Sequence, residues 1–231
     1  MILKADNISK RYFRKTGGAN YFYAVQPLNL QINSGKVAVL MGRSGSGKTT
    51  LLSMLSGLLV PTEGKVWLEG TDLYALDDKA LSRLRSEKIA VVPQGRSAID
   101  TLAVLENILL PARLYGRPLP MEAATEWMEK LGIANLRDAR PAELSGGELR
   151  RMAIARALTQ NPDILFADEP TGDLDDENTQ LVLSAFSAFA HELGKTVFIA
   201  THENGAVRYA DAVYRMDAGR MELFDCPTSQ E

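Results

Sequence analysis

The sequence predicts an α/β fold with a mostly parallel sheet, an antiparallel β-subdomain and an α-helical subdomain insertion. Three observations carry this expectation. Four runs, "KVAVLM" (36–41), "KIAVV" (88–92), "DILFA" (163–167) and "TVFIA" (196–200), are almost continuously apolar, the pattern of strands buried on both faces of a parallel sheet. The first third instead alternates apolar and polar residues, as half-buried antiparallel strands do. From about Asp100 to Leu158 strand signals vanish and helical spacing takes over.

Taken in chain order, Leu28, Leu30 and Ile32 alternate, and so do Val66 and Leu68 after the turn signal "TEG". These predict short antiparallel strands joined by turns. The run at 36–41 opens into a glycine-rich loop and then "TTLLSML", whose apolar residues recur at helical spacing. "LAVLENILLPARLYG" and "MEAATEWMEKLGI" predict two helices of the insertion. Another starts near Ser145, where Ser145-Gly146-Gly147-Glu148 satisfies the S-x-x-E capping pattern ahead of Leu149, Met152 and Ala153. Parallel strands resume at Asp163, and "DAVYRMDAGRMELFD" sets a glycine between two short alternations, a closing hairpin. The expected organisation is one domain over 1–231, with 1–99 and 159–231 forming the α/β core and β-subdomain and 100–158 the helical subdomain.

Apolar residues make up 45% of the 231, enough to bury an ordinary core without disulfides. The lone Cys226 cannot form an intramolecular bridge and suits a reducing compartment. A net charge of −3 gives no broad basic field, which argues against nucleic acid as a partner. "MILKADNISK" has no signal pattern, and no apolar run approaches the roughly 20 residues of a bilayer span. The expectation is a cytoplasmic chain that reaches a membrane only through another subunit.

"VAVLMGRSGSGKTTLLSML" fits G-x-x-x-x-G-K-[ST] as Gly42, Arg43, Ser44, Gly45, Ser46, Gly47, Lys48 and Thr49. The glycines let successive backbone N–H groups turn toward one anion, and the helix N-terminus adds its dipole. Lys48 is placed to reach the β- and γ-phosphates, and the Thr49 hydroxyl, next to Thr50, to ligate Mg²⁺. ATP or a similar triphosphate is the expected ligand, and the fold narrows to a P-loop NTPase core. Such a site needs a carboxylate at the end of a neighbouring parallel strand. "DILFADEP" supplies Asp168 for the metal and Glu169 to accept a proton from the attacking water.

His191, in "AHELGK", reads as a solvated residue near a helix end. His202 follows "TVFIAT" at another strand end, and spacing alone leaves it between a packed core histidine and a site residue. A helix cap explains Ser145 and Glu148 but not Gly146 and Gly147, which weaken a first turn unless a backbone must approach something closely. A helix start attracts an anion, yet this one lies 97 residues past Lys48 and has no lysine.

In order, the phosphate loop, "VVPQ", "LSGGELRRMAIARAL", "ILFADEPTGDLD" and "IATHE" resemble the ATP-binding-cassette (ABC) ATPases across essentially the whole chain. Through "ADEPTGDLD" and "LENILLPARLYG" it looks most like the single-domain ATPase subunits of the macrolide-export, lipoprotein-release and cell-division group. The resemblance implies two subunits, expected to be identical, paired head-to-tail on two ATP molecules. Each ATP is then held by one chain's phosphate loop and the other chain's signature, here Leu144, Ser145, Gly146, Gly147 and Glu148. It implies that Ser145 and Gly147 contact the γ-phosphate of the ATP bound to the partner subunit.

The same resemblance assigns Tyr12 in "SKRYF" to the adenine, with Tyr21, Phe22 and Tyr23 as rivals. It gives Gln94 to Mg²⁺ and the attacking water, Asp175 to the dimer interface and His202 to the γ-phosphate. The segment around Gln94 departs from the family pattern: Val92 stands where an aromatic residue is frequent, followed by Pro93, with Gly95 and Arg96 after the glutamine. The implied function is ATP hydrolysis that drives a separate transmembrane permease from the inner face of the membrane, in export or extraction. An alternative is an ATP-driven regulator of a cell-envelope enzyme that transports nothing. A nucleic-acid or ribosome ATPase is disfavoured by the charge and by the lack of heptads between phosphate loop and signature.

Overall fold

The computed structural model describes residues 2–15, 19–172 and 174–224. Cys226 lies outside them. In chain order the elements are β1 (Leu3–Lys15), β2 (Ala19–Ile32), β3 (Val37–Met41), α1 (Lys48–Leu55), β4 (Glu63–Leu68), β5 (Thr71–Asp72), α2 (Asp78–Lys88) and β6 (Ile89–Val92). Then follow α3 (Val104–Leu114), α4 (Met121–Lys130), α5 (Gly146–Thr159), β7 (Ile164–Asp168), α6 (Asp176–His191), β8 (Thr196–Thr201), β9 (Ala212–Asp217) and β10 (Arg220–Phe224).

The four apolar runs become β3, β6, β7 and β8, adjacent and parallel in a six-stranded sheet of order β10-β9-β3-β8-β7-β6. Every residue of β7 and β8 is buried, which is why their sequences show no alternation. The closing hairpin forms as β9 and β10. Its first strand also pairs in parallel with β3, from Ala38 with Ala212 to Met41 with Arg215, so the hairpin extends the main sheet. At that edge Asp211 accepts hydrogen bonds from the Val37 N–H at 2.8 Å and from Lys36. His191 is half-exposed at the end of α6, as expected, but its Nε2 also meets Asp211 Oδ2 at 2.9 Å.

The antiparallel sheet has the order β2-β1-β4-β5. Its first two strands are 13 and 14 residues long rather than the short strands expected. Register shifts let them run on: Asn7 takes a φ of 50° where β1 breaks step with both neighbours, as at a β-bulge. The apolar face of this sheet, including Leu3, Ile8, Leu30 and Val66, packs with Leu51, Leu52, Met54 and Leu55 of α1 in one core that also contains Leu40, Phe166 and Phe198. Each fully buried side chain of this kind contributes roughly 1.5–3 kcal/mol. The helix that starts at the phosphate loop is therefore anchored in a core shared by the two sheets.

A second core, containing Val39, Val92, Leu165, Val197 and Ile199, is completed by α3, α4, α5 and α6. Among the described residues no strand falls between β6 and β7. Buried residues of α5 include Met152, Ile154, Ala155 and Leu158, so the signature helix is a central packing element. Asn107, fully buried in α3, donates to the carbonyls of Ile99, Leu102 and Ala103 and accepts from the Ile99 N–H. That fixes the loop leading into the helical segment.

Candidate nucleotide site

Four neighbouring parallel strands deliver the site at their carboxyl ends, where open α/β sheets place ligands. The phosphate loop follows β3, Gln94 follows β6, Asp168 and Glu169 end β7, and His202 follows β8. They line one open cavity of about 470 Å³, which also touches Thr49, Thr50 and Gly45.

The loop is pinned from both sides. Gly47 has a φ of 110°, and a Cβ there would run into the Ala24 carbonyl of β2. A Cβ on Gly42 would come within 2.5 Å of the Met216 carbonyl of β9. The Gly219 N–H donates to the Ser46 carbonyl at 2.9 Å. Held this way, the loop leads its backbone into the N-terminus of α1, whose free N–H groups and dipole favour an anion.

Lys48 is buried, and its Nζ donates to the carbonyls of Gly42 at 2.7 Å and Arg43 at 3.2 Å. It also lies 3.2 Å from Glu169 Oε1. Glu169 Oε2 meets His202 Nδ1 at 2.9 Å and accepts from the His202 N–H at 3.3 Å. Burial pushes the Glu169 carboxyl upward, but hydrogen bonds from His202 and Lys48 together outweigh it and hold the pKa below its ordinary value. At neutral pH this carboxylate is ionised and able to accept a proton.

Asp168 Oδ2 accepts from Thr49 Oγ1 at 2.6 Å, while its Oδ1 is buried without a partner. Its pKa is raised, chiefly by burial, with a further push from the Glu169 charge. A divalent cation would satisfy the orphaned oxygen and offset the like charges. The oxygens of Thr49, Asp168 and Gln94 form a hard donor set suited to Mg²⁺, so the residues fit that ion.

Other expected residues stand elsewhere. Tyr12 does not line the cavity; it is paired with Phe22 at a ring separation of 6.0 Å, and Phe22 and Tyr23 line it instead. Gly42, Arg43 and Ser46 lie in the loop's base and flank rather than on the cavity wall. None of Leu144, Ser145, Gly146, Gly147 and Glu148 lines it. Ser145 caps α5, with Glu148 Oε2 accepting from its N–H at 2.7 Å and its hydroxyl at 2.8 Å. A Cβ on Gly146 would meet nothing within 4 Å, whereas one on Gly147 would approach Leu174 at 3.1 Å. Asp175 caps α6, accepting from the Asn178 N–H at 2.8 Å.

Residues that sequence reasoning missed are Ala24, Ala218 and Gly219 on the cavity wall and Arg150 beside Gln94. The first three arrive through long-range strand pairing, which leaves no local signal. Arg150 sits next to Arg151 in a helix and looks like an ordinary surface cation.

Residues 25–172 match the family model described as ABC transporter. The lipoprotein-releasing system ATP-binding protein LolD of Bdellovibrio bacteriovorus is 36% identical over 222 residues, spanning 95% of this chain and 100% of the relative. The ABC transporter ATP-binding protein MJ0796 of Methanocaldococcus jannaschii is 36% identical over 227 residues, 96% of this chain and 95% of the relative. A dimeric structure of MJ0796 in a post-hydrolysis state, bound to ADP and Pi, superposes with a TM-score of 0.88 at 33% identity, covering 97% of this chain and 99% of that one. With the phosphate loop, the carboxylate pair and these relatives in agreement, the chain belongs to the ABC transporter family, as one of its ATP-hydrolysing cassettes.

Proposed function

We propose that this cassette pairs head-to-tail with a second copy on two ATP molecules and drives a separate transmembrane permease in export or extraction of a substrate from the membrane. The observation behind the pairing is the position of the signature. Leu144–Glu148 stand outside the chain's own cavity, and Gly146 has open space where a side chain would sit, so a phosphate held elsewhere could approach this helix start and take the place of Glu148 at Ser145. The MJ0796 cassette is dimeric in its solved structures, which supports pairing of two copies. The LolD relatives, by name, belong to lipoprotein-releasing systems, which supports extraction. Among the described residues no helix is long and apolar enough to cross a membrane, so peripheral attachment at the inner face falls to the permease. The reading treats 1–231 as one domain with 100–158 as its helical subdomain, and gives no role to nucleic acid.

In the proposed reaction Glu169 takes a proton from the water that attacks the γ-phosphorus. Lys48, His202 and Ser145 of the second copy stabilise the charge that develops on the phosphoryl oxygens. Gln94 orients the water, Asp175 borders the second copy and the adenine rests against Phe22 and Tyr23, the aromatic residues on the cavity wall, with Tyr12 behind Phe22. Thr49, Asp168 and Gln94 would hold Mg²⁺, which would neutralise part of the phosphate charge.

The test is to isolate the Glu169→Gln chain from native membranes in mild detergent with ATP and identify what accompanies it by mass spectrometry. A multi-span permease is the expected companion. A few-span protein bound to a wall-remodelling enzyme would replace the transporter by a regulator, and absence of any membrane protein would overturn both.

A further inference from the structure

Arg150, in the second turn of α5, donates from Nη1 to the Pro93 carbonyl and from Nη2 to the Gln94 carbonyl, each at 2.6 Å. Arg156, about 9 Å further along the helix axis, donates to the Ser97 carbonyl at 2.8 Å and to the Ser97 hydroxyl. Two guanidinium groups of one helix therefore hold both ends of the segment 93–97. The segment contributes little rigidity of its own: residues 93–96 are exposed, and Gly95 has no neighbour within 4 Å of where a Cβ would sit.

The geometry matters because of what each end carries. Gln94 lines the cavity along with Asp168 and Glu169. The helix that grips its backbone starts at Ser145, the residue that the proposed pairing presents to the other ATP. A planar fork with two parallel donors fixes orientation as well as distance, which an ammonium cannot do.

We infer that Arg150 is a positioning residue that locks the Gln94 loop to the signature helix, so that the Gln94 of one ATP site and the Ser145 offered to the other move as one body. Arg156 is the second anchor of the same lock. The link between the two ATP sites rests on the head-to-tail reading; the lock between Arg150 and Gln94 within one chain does not.

The experiment compares steady-state ATP hydrolysis of the purified wild-type, Arg150→Met and Arg150→Lys chains across a Mg²⁺ titration, with nucleotide affinity and melting temperature measured alongside. With Met, kcat should fall about 10–100-fold, the scale of a catalytic group displaced by about 1 Å. Affinity for ATP should stay near wild type while the Mg²⁺ concentration for half-maximal rate rises, because Gln94 is no longer held toward the metal. Lys should fall between, satisfying one carbonyl at a time. A merely structural role would lower melting temperature and active fraction without moving the Mg²⁺ midpoint.

Wild-type kcat and midpoint in Arg150→Met would overturn the lock, as would a rate loss fully explained by the active fraction. If the Met variant does not fold, an unchanged midpoint in Arg150→Lys overturns it equally. Ser145→Ala in an otherwise wild-type chain separates the two readings: full activity there removes the head-to-tail pairing, while the Mg²⁺ midpoint of the Arg150 variants still decides the lock.

Discussion

Glu169 leaves β7 with a φ of 48°, a left-handed conformation that costs of order 1–3 kcal/mol for a residue with a side chain. Its N–H bond to the Ala200 carbonyl at 2.8 Å and its ties to Lys48 and His202 hold it there. The turn aims the carboxylate into the cavity rather than along the sheet. Glu169→Gln keeps the shape and removes the proton acceptor, so turnover measured as phosphate release should drop roughly 10²–10⁴-fold, with ATP still bound; normal turnover would refute the assignment. The pH dependence has a definite sign. Burial raises this carboxyl, yet the hydrogen bonds from His202 and Lys48 prevail and lower it. In the proposed reaction the ionised form is the base, so the acid limb of kcat/KM should lie below the ordinary glutamate range of about 4.3. The associated stability is present above the unfolded pKa and lost as pH falls through the folded one. In His202→Ala the first of the lowering contacts is gone, and the limb should move to higher pH. A limb that stays put or moves lower would show that His202 does not set this carboxyl. The sequence made Asp168 and Glu169 legible because an acidic pair closing an apolar strand is unusual chemistry, whereas the contact that tunes Glu169 crosses from β8 and has no local trace.

At the level of elements, legibility followed the range of the interaction. β3, β6, β7 and β8 could be read because burial on both faces writes an unbroken apolar run into each strand. The parallel pairing of β9 with β3 could not, since alternation in Ala212–Asp217 reports one strand's environment and nothing about its neighbour. The length of β1 and β2 was hidden by the irregularity at Asn7, which breaks the period that would have revealed a long strand. The phosphate loop shows the same division. Its composition was obvious, but the reason for Gly47 and Gly42 lies in β2 and β9. Gly47 combines a φ of 110° with the Ala24 carbonyl in the path of a Cβ, while Gly45, at 79°, has open space. Gly45→Ala should therefore cost only the left-handed penalty, about 1–2 kcal/mol. Gly47→Ala must also displace the backbone of β2 or of the loop, and should lose clearly more, about 3 kcal/mol or beyond when overpacking is added. Urea denaturation of the two variants, without nucleotide, measures the difference, and equal losses would mean that β2 does not brace the loop.

The whole molecule starts two helices in different cores, α1 at Lys48 and α5 at Ser145. Lys48 begins α1, whose far side is sealed into the core between the two sheets. Ser145 begins α5, packed with the helices on the other face of the main sheet. The two helix starts do not share a cavity within the chain, because none of Leu144–Glu148 lines the one at Lys48. If two copies complete each other head-to-tail, a Lys48→Ala chain and a Ser145→Arg chain should each be inactive alone, the first through a lost phosphate contact and the second through a bulky side chain in place of the Ser145 hydroxyl. Mixed, they can form a pair in which one site combines both lesions and the other combines an intact phosphate loop with an intact signature. Phosphate release from the mixture should therefore exceed the sum of the separate chains and rise with protein concentration as mixed pairs form. If each chain instead completed its site alone, mixing would restore nothing at any concentration.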